Sequence, residues 1–387
     1  MFNDTRVYLA ILMYMFGGMF MMVFNFAEMY RVRIKELNQA RIDAKWRGVI
    51  LLAVPANRDE SVKTELTNRH VSYLYRKLKN ASNLVNFANA LTYFKEREEV
   101  RAVYDSYMEL LEGHEVFHWL AYKYRRAKIE ERAYFAYFIS MFPEVAGHTY
   151  SNLLNQLIDY INNSNIYCRA NVVKALCRIG NEYALLKALD LINDREYHMY
   201  GRFLADELMF YKGNREELAF TLWAKYGRWN IGMMEIVAIF IKRVSPSFKE
   251  IFLPLLKNEK TESELRISII RYYQQYRYDP AHDTLISFLF DDSNINIAIV
   301  ATDALSAYPG TKTAEALSMA IKSRNWYIRY HAATNLVDLS VATGDYKWLH
   351  VVNDKYAMEI IRYVMQLRNL HVSELETKEE RTRLNVT

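Results

Sequence analysis

The feature that most constrains the fold is a helical pattern of apolar residues that recurs at a nearly constant spacing. In Asn325 to Leu336 (NWYIRYHAATNL), apolar residues stand one position before Arg329 and three, four and seven positions after it, which is one face of an α-helix. With Arg329 as the anchor, the pattern also fits anchors at Arg169, Gly201, Gly232, Arg266 and Ala298. Subtracting successive anchor numbers gives spacings of 32, 31, 34, 32 and 31 residues. Such a period is typical of helical-repeat proteins.

Two columns of this pattern are apolar in all six copies. The residues before the anchors are Cys168, Tyr200, Ile231, Leu265, Ile297 and Ile328, and those seven positions after them are Leu176, Leu208, Ile239, Tyr273, Leu305 and Leu336. Since no alternating strand pattern of useful length occurs, the sequence predicts an all-α fold. We expect an α-solenoid of helical hairpins over residues 132–367.

One copy departs from the pattern. Glu235 stands three residues after Gly232, where the other copies have an apolar residue. Either this carboxylate is buried and needs a partner such as Lys242 or Arg243, or the register shifts locally, which we favour.

Charge and cysteine content limit the function classes. The chain has 50 Lys+Arg against 45 Asp+Glu, and this small excess is spread along its length, so nucleic-acid binding is not expected. Cys168 and Cys177 stand on opposite faces of one predicted helix, about 13 Å apart along its axis, too far for a disulfide. This suits a reducing compartment.

The N-terminus carries a predicted membrane anchor over residues 1–30. Val7 to Ala27 has no charged residue, and its length matches a transmembrane helix. The alternative, a cleaved signal peptide, is less favoured because the run is long and no small-x-small site follows. Lateral contact with another membrane helix is predicted at Gly17, Gly18 and Asn25.

A basic juxtamembrane helix and linker follow over residues 31–60. The basic residues predict a cytoplasmic C-terminal part and an external N-terminus, as in a single-pass cell-membrane protein. Arg31, Arg33 and Lys35 could also contact anionic lipid, although a topology signal alone is the favoured interpretation. Irregular helical hairpins are expected over 61–131, and a charged, frayed tail over 368–387.

The repeats resemble HEAT repeats of the phycobilisome-lyase type. The resemblance is carried by turns and helix starts at Asn165, Ile166, Arg169, Trp229, Ile295, Asn325, Trp326 and Arg329. It implies a curved binding surface. Gly201, Gly232 and Ala298 replace the arginine, so an inter-repeat arginine ladder would be incomplete. Deoxyhypusine hydroxylases carry several His-Glu pairs, whereas this chain has a single one, His114 with Glu115. The resemblance implies no chromophore site of the kind that the lyases have. No cofactor is therefore expected.

HEVFH, from His114 to His118, is the one enzyme-like motif. It matches HExxH, in which two histidines bind zinc and a glutamate, here Glu115, activates water. The motif follows Gly113, a helix-stop residue, and the pattern fixes only three positions, so a solvated helix start is the favoured interpretation. A membrane-bound zinc metallopeptidase remains the alternative function.

A partner-binding surface is predicted on the helix that contains RISIIRYYQQYRY. Since Ile269, Ile270 and Tyr273 face the core in the pattern, four residues are left on the open side: Arg271, Gln274, Gln275 and Tyr278. Arginine and tyrosine dominate protein interfaces.

These observations together favour a scaffold over an enzyme. The expected function is a membrane-anchored, cytoplasmic HEAT-repeat adaptor that docks onto a membrane-embedded protein complex. By resemblance of architecture, the expected client is a membrane enzyme such as a polysaccharide-making glycosyltransferase, whose accessory subunit this chain would be.

Overall fold

The computed structural model describes residues 2–54, 60–111, 114–146, 150–162, 164–197, 201–291, 293–350 and 354–368. Every regular element in these ranges is a helix and none is a strand, which confirms the all-α prediction. Packing divides the chain into two compact units, Met1–Ile179 and Gly180–Thr387.

The first unit begins with one very long helix, α1 (Phe2–Ala53). Its 52 residues correspond to about 78 Å at 1.5 Å per residue. The predicted anchor and most of the predicted basic juxtamembrane segment thus belong to one continuous helix, because no proline interrupts the chain before Pro55 and Gly48 does not end the helix. Among the described residues, Leu12–Ala53 is the one helix long and apolar enough to cross a membrane.

The two ends of α1 differ in environment. Its apolar side chains are exposed from Tyr8 to Tyr30 wherever side chains are described. Near its C-terminal end, Trp46 is 4% exposed and Ile50 is fully buried. Trp46 packs edge-on against Phe87 with ring centroids 5.5 Å apart. The end of α1 is therefore part of the core of the first unit.

The rest of the first unit is a set of helices around an aromatic core. They are α2 (Glu60–Leu78), α3 (Ala81–Glu96), α4 (Arg101–Leu111), α5 (Val116–Arg125), α6 (Ile129–Met141), α7 (Tyr150–Asp159) and α8 (Ile166–Ile179). Phe135 and Phe138 of α6 are fully buried and stack on Tyr124 and Phe117 of α5. Cys168 and Cys177 are both buried and unbonded, in agreement with their predicted separation.

The second unit consists of α9 (Glu182–Asp194), α10 (Gly201–Leu208), α11 (Arg215–Trp223), α12 (Ile231–Val244), α13 (Lys249–Lys257), α14 (Ser263–Gln275), α15 (His282–Phe288), α16 (Ile295–Ala304), α17 (Thr311–Ala320), α18 (Trp326–Thr343), α19 (Lys347–His350) and α20 (Lys355–Leu367). The even-numbered helices α10 to α20 each pack against the next even-numbered one. From α12 to α18, each also packs against the odd-numbered helix before it.

Asparagine caps start several of the even-numbered helices. The Asn230, Asn294 and Asn325 side chains each accept hydrogen bonds from backbone N–H groups of the first turn of α12, α16 and α18. Such caps satisfy donors that an α-helix leaves unpaired at its start. Asn294 and Asn325 each stand four residues before the anchor position of their helix, so the cap fixes the register of the apolar face.

This register corrects the predicted pattern in α12. Four residues after Asn230 is Met234, which makes Met234 the anchor in place of Gly232. Val237 and Ile241 then fill the columns three and seven positions on, and both are fully buried. The register shift favoured for Glu235 is confirmed, and the assignment of Ile239 to the core is wrong, because Ile239 is only half-buried.

Two of the anchor arginines bond to the turn before their own helix. Arg266 donates to the backbone carbonyl of Asn258 at 2.6 Å, and Arg329 donates to that of Ser323 at 2.8 Å. Both carbonyls lie in the turn before the helix that carries the arginine. These two hydrogen bonds therefore tie each helix to its preceding turn.

Two predictions fall partly outside the described residues. Tyr200, a predicted core residue, and residues 369–387 of the predicted tail are not described. Arg368, at the start of that tail, donates to both carboxylate oxygens of Asp338 at 3.0 and 2.8 Å.

Candidate functional site

The predicted partner-binding residues separate into two groups. Arg271, Gln274 and Gln275 are exposed on the last turns of α14, as expected. Tyr278 lies beyond the end of this helix, is half-buried and stacks on Tyr273 with ring centroids 6.2 Å apart. Its placement on the open helix face is therefore wrong, because α14 ends at Gln275.

Arg271 and Gln274 line a cavity of about 540 Å³ within the second unit. Residues of three even-numbered helices form its wall: Arg202 of α10; Ile239, Lys242 and Arg243 of α12; Ser268, Arg271 and Gln274 of α14. We call this the basic cavity.

The shared register of the even-numbered helices explains why these residues meet. In the corrected register, Ile239 and Arg271 both stand five positions after their anchors, and Lys242 and Gln274 both stand eight positions after theirs. Since α12 packs against α14, equivalent columns of the two helices lie side by side. These four residues that line the basic cavity thus stand five and eight positions after the anchors, next to the buried positions four and seven.

Positive charge dominates the lining. Arg243 forms an ion pair with Asp206. In the described part of the chain, no carboxylate lies within ion-pair distance of Arg202, Lys242 or Arg271. Four cations against one paired carboxylate leave three cations without an ion pair, and Glu235 interacts with one of them, Arg271, at longer range.

The surroundings of Lys242 disfavour its charged form. Burial lowers the pKa of Lys242 below its usual value of 10.5, and the charges of Arg271, Arg243 and Arg202 lower it further. An anion among them would favour the charged form of this lysine. The cavity therefore carries an electrostatic cost that a negative ligand would relieve.

Glu235 lies near this cluster without lining the cavity. Burial and the charge of Glu264 raise its pKa, while Arg271 opposes that shift. Glu235 is half-buried, with its carboxylate beside Gly201 at the start of α10. It forms no ion pair with Lys242 or Arg243, the partners considered from the sequence.

Two uncharged polar groups complete the wall. Ser268 is only 5% exposed, and its hydroxyl has no hydrogen-bond partner among the described residues. Gln274 donates its amide N–H to the carbonyl of Asp303 at 3.2 Å, which fixes the orientation of its side chain.

The HExxH motif does not have the geometry of a zinc peptidase site. Since α5 begins at Val116, His114 precedes the helix, Glu115 is its N-cap, and only His118 lies within it. The two histidines are therefore not on consecutive turns of one helix. No group of three or more His, Cys, Asp or Glu residues in the described ranges is arranged to hold a metal ion.

The predicted membrane and lipid contacts lie on α1. Gly17, Gly18 and Asn25 are exposed, and a Cβ added to either glycine would have no neighbour within 4 Å. In the juxtamembrane segment, Arg31 pairs with Glu28 at 2.6 Å and Arg33 pairs with Glu36 at 3.4 Å, while Lys35 is exposed. Part of the basic charge expected to face lipid is thus neutralised along the helix.

Sequence reasoning missed the cavity residues that α10 and α12 contribute. The useful signal was the asparagine cap, because Asn230 places Lys242 in the same column as Gln274. With Gly232 as the anchor, this correspondence is lost.

Comparison with known proteins does not assign the chain to a family. A scan against protein-family models finds none that matches, and a search of curated proteins finds no match.

Proposed function

We propose that this chain is a membrane-anchored docking protein. In this proposal α1 crosses the membrane, and an α-solenoid of HEAT-like hairpins presents one face to a membrane-embedded protein complex. The basic residues after the apolar segment favour a cytoplasmic location for the array and an external N-terminus.

The observation that carries the proposal is the two-part environment of α1. Its N-terminal half exposes apolar side chains, whereas Trp46 and Ile50 near its other end are buried among the helices of the first unit. A helix of about 20 apolar residues spans the hydrocarbon layer, so α1 has length for both a span and a packed end. Continuity of the helix would join the membrane segment to the folded part without a flexible linker.

Successive packing of α10, α12, α14, α16, α18 and α20 supports the array. Stacked hairpins bury a continuous core and leave long faces free for other proteins. The exposed Arg271, Gln274 and Gln275 lie on one such face and have the chemistry common at protein interfaces. The client class that fits a membrane-anchored array is a membrane enzyme complex, with polysaccharide-making glycosyltransferases as one instance.

Purification of the full chain from native membranes tests this proposal. We expect it to resist extraction by alkaline carbonate and, in mild detergent after brief crosslinking, to bring down one membrane protein in stoichiometric amount. A chain that lacks residues 1–30 is the matched control and should be lost from the membrane fraction. Release of the full chain by carbonate, or the absence of a stoichiometric partner, would contradict the proposal.

A further inference from the structure

The basic cavity has properties that docking alone does not require. Arg202, Lys242 and Arg271 come from three different helices, yet they converge on one concavity, and none forms an ion pair among the described residues, although Glu235 interacts with Arg271 at longer range. Like charges at close range repel, and a fold tolerates such an arrangement more readily when an anion occupies it.

Ser268 is a second, independent observation. The residue lines the cavity and is 5% exposed, and its hydroxyl bonds to no described protein group. Its Oγ is not one of the described side-chain atoms that are both fully buried and unpaired, so the hydroxyl opens onto the cavity. A ligand oxygen in the basic cavity would accept a hydrogen bond from it.

The cavity also has the size of a small-molecule site. Its volume of about 540 Å³ falls in the range of about 300–1,000 Å³ that is typical of ligand pockets. A lone carboxylate would balance only one of the three cations that lack an ion pair. A phosphate monoester carries about two negative charges at neutral pH and offers three acceptor oxygens that suit arginine forks.

From these features we infer that the basic cavity binds a small molecule through a phosphate or diphosphate group. Arg202, Lys242 and Arg271 hold the phosphate oxygens, and the Ser268 hydroxyl donates to one of them. None of the described residues that line the cavity is aromatic. This inference does not rest on the docking function, since a chain without a protein partner can still bind phosphate.

Calorimetric titration of the full chain with pyrophosphate tests the inference. The chain is held in nanodiscs of zwitterionic lipid at low ionic strength. Arg271→Gln and Ser268→Ala are compared with Lys322→Gln, a matched control that removes an exposed charge on a turn outside the cavity. Arg271→Gln is expected to weaken binding by about tenfold or more, Ser268→Ala by severalfold, and Lys322→Gln to leave it unchanged. Far-ultraviolet circular dichroism verifies that each variant is folded.

Three results would overturn the inference. The first is the absence of pyrophosphate binding to the folded wild-type chain at millimolar concentrations. The second is equal weakening by Arg271→Gln and Lys322→Gln, because that indicates unspecific attraction to net charge. The third is binding of a polyglutamate peptide without binding of pyrophosphate, which would assign the cavity to an acidic protein segment.

A second titration identifies the source of the phosphate group. Nanodiscs that contain phosphatidic acid replace the zwitterionic ones. Loss of pyrophosphate binding in these discs supports a lipid headgroup as the ligand, whereas unchanged binding supports a soluble phosphate ester. Both results require that Arg271→Gln still weakens pyrophosphate binding in zwitterionic discs.

Discussion

Acidification is expected to weaken the first unit through a single histidine. The ring nitrogen Nε2 of His70 in α2 lies 2.7 Å from the phenol oxygen of Tyr107 in α4. The Tyr107 residue is fully buried. Burial lowers the pKa of His70 from 6.5 to about 4, and it raises the pKa of Tyr107 well above its usual value. Between these two histidine pKa values the unfolded chain binds a proton that the folded chain does not bind.

The size and sign of the effect follow from this difference. Stability rises with pH wherever the unfolded state binds more protons, so the contribution of neutral His70 is fully present above 6.5 and is lost as the pH falls toward about 4. Each pKa unit corresponds to about 1.4 kcal/mol. A pH of about 5 lies about 1.5 units below the unfolded-state pKa of His70, so the free energy of unfolding should be about 2 kcal/mol lower there than at about pH 7.5.

Pulsed hydrogen exchange with mass spectrometry measures this loss in the full chain. Peptides from α2 and α4 report the urea midpoint of the first unit at the two pH values. His70→Gln keeps a polar side chain but does not titrate, so the wild type should lose about 2 kcal/mol more than this variant. His331→Gln, in the second unit, is the control and should behave as the wild type. Equal losses in the wild type and His70→Gln would refute the reasoning.

Three further predictions concern the second unit. Ile241→Ala should cost about 2–5 kcal/mol of stability in urea unfolding, whereas Ile239→Ala at the cavity wall should cost about 1 kcal/mol or less. A larger loss for Ile239→Ala than for Ile241→Ala would contradict the corrected register and favour Gly232 as the anchor of α12. Asn325→Ala removes the cap of α18 and should lower stability by about 1 kcal/mol, seen as faster amide exchange in its first turn; unchanged exchange would contradict the capping role. Burial and three arginines lower the pKa of Lys242, so as the pH rises this lysine loses its charge, and pyrophosphate affinity should decline, at a lower pH than for an ordinary lysine. Lys242→Met should remove this decline in calorimetry, and a decline that survives would exclude Lys242 as its source.

The register of a helix was predictable where its polar cap and its apolar columns agree. In α18, Asn325 caps the helix, and Ala332, Ala333 and Leu336 are fully buried, as the pattern predicts. In α12 the sequence IGMMEIVAIFIKRV is apolar on almost every side, so periodicity alone does not fix the register. The cap at Asn230 fixes it, because capping geometry depends on one side chain and not on an average over the helix.

The site was only partly predictable for a different reason. Exposure of Arg271 and Gln274 follows from the face of one helix, which the sequence pattern defines. The meeting of Arg202, Lys242 and Arg271 depends on packing between helices about 30 residues apart, which follows only from a correct register in every copy. The continuity of α1 was missed because charge and hydropathy change along it while helix propensity does not.

The most direct test of the docking claim is site-specific photocrosslinking in native membranes. A photoreactive amino acid replaces Gln275 on α14 or, as the matched control, Glu250 on α13, since both residues are exposed. We predict that the probe at position 275 links the full chain to one discrete membrane protein and that the probe at position 250 does not. No crosslinked protein at position 275, or the same products from both positions, would contradict the claim that this face docks onto a membrane partner.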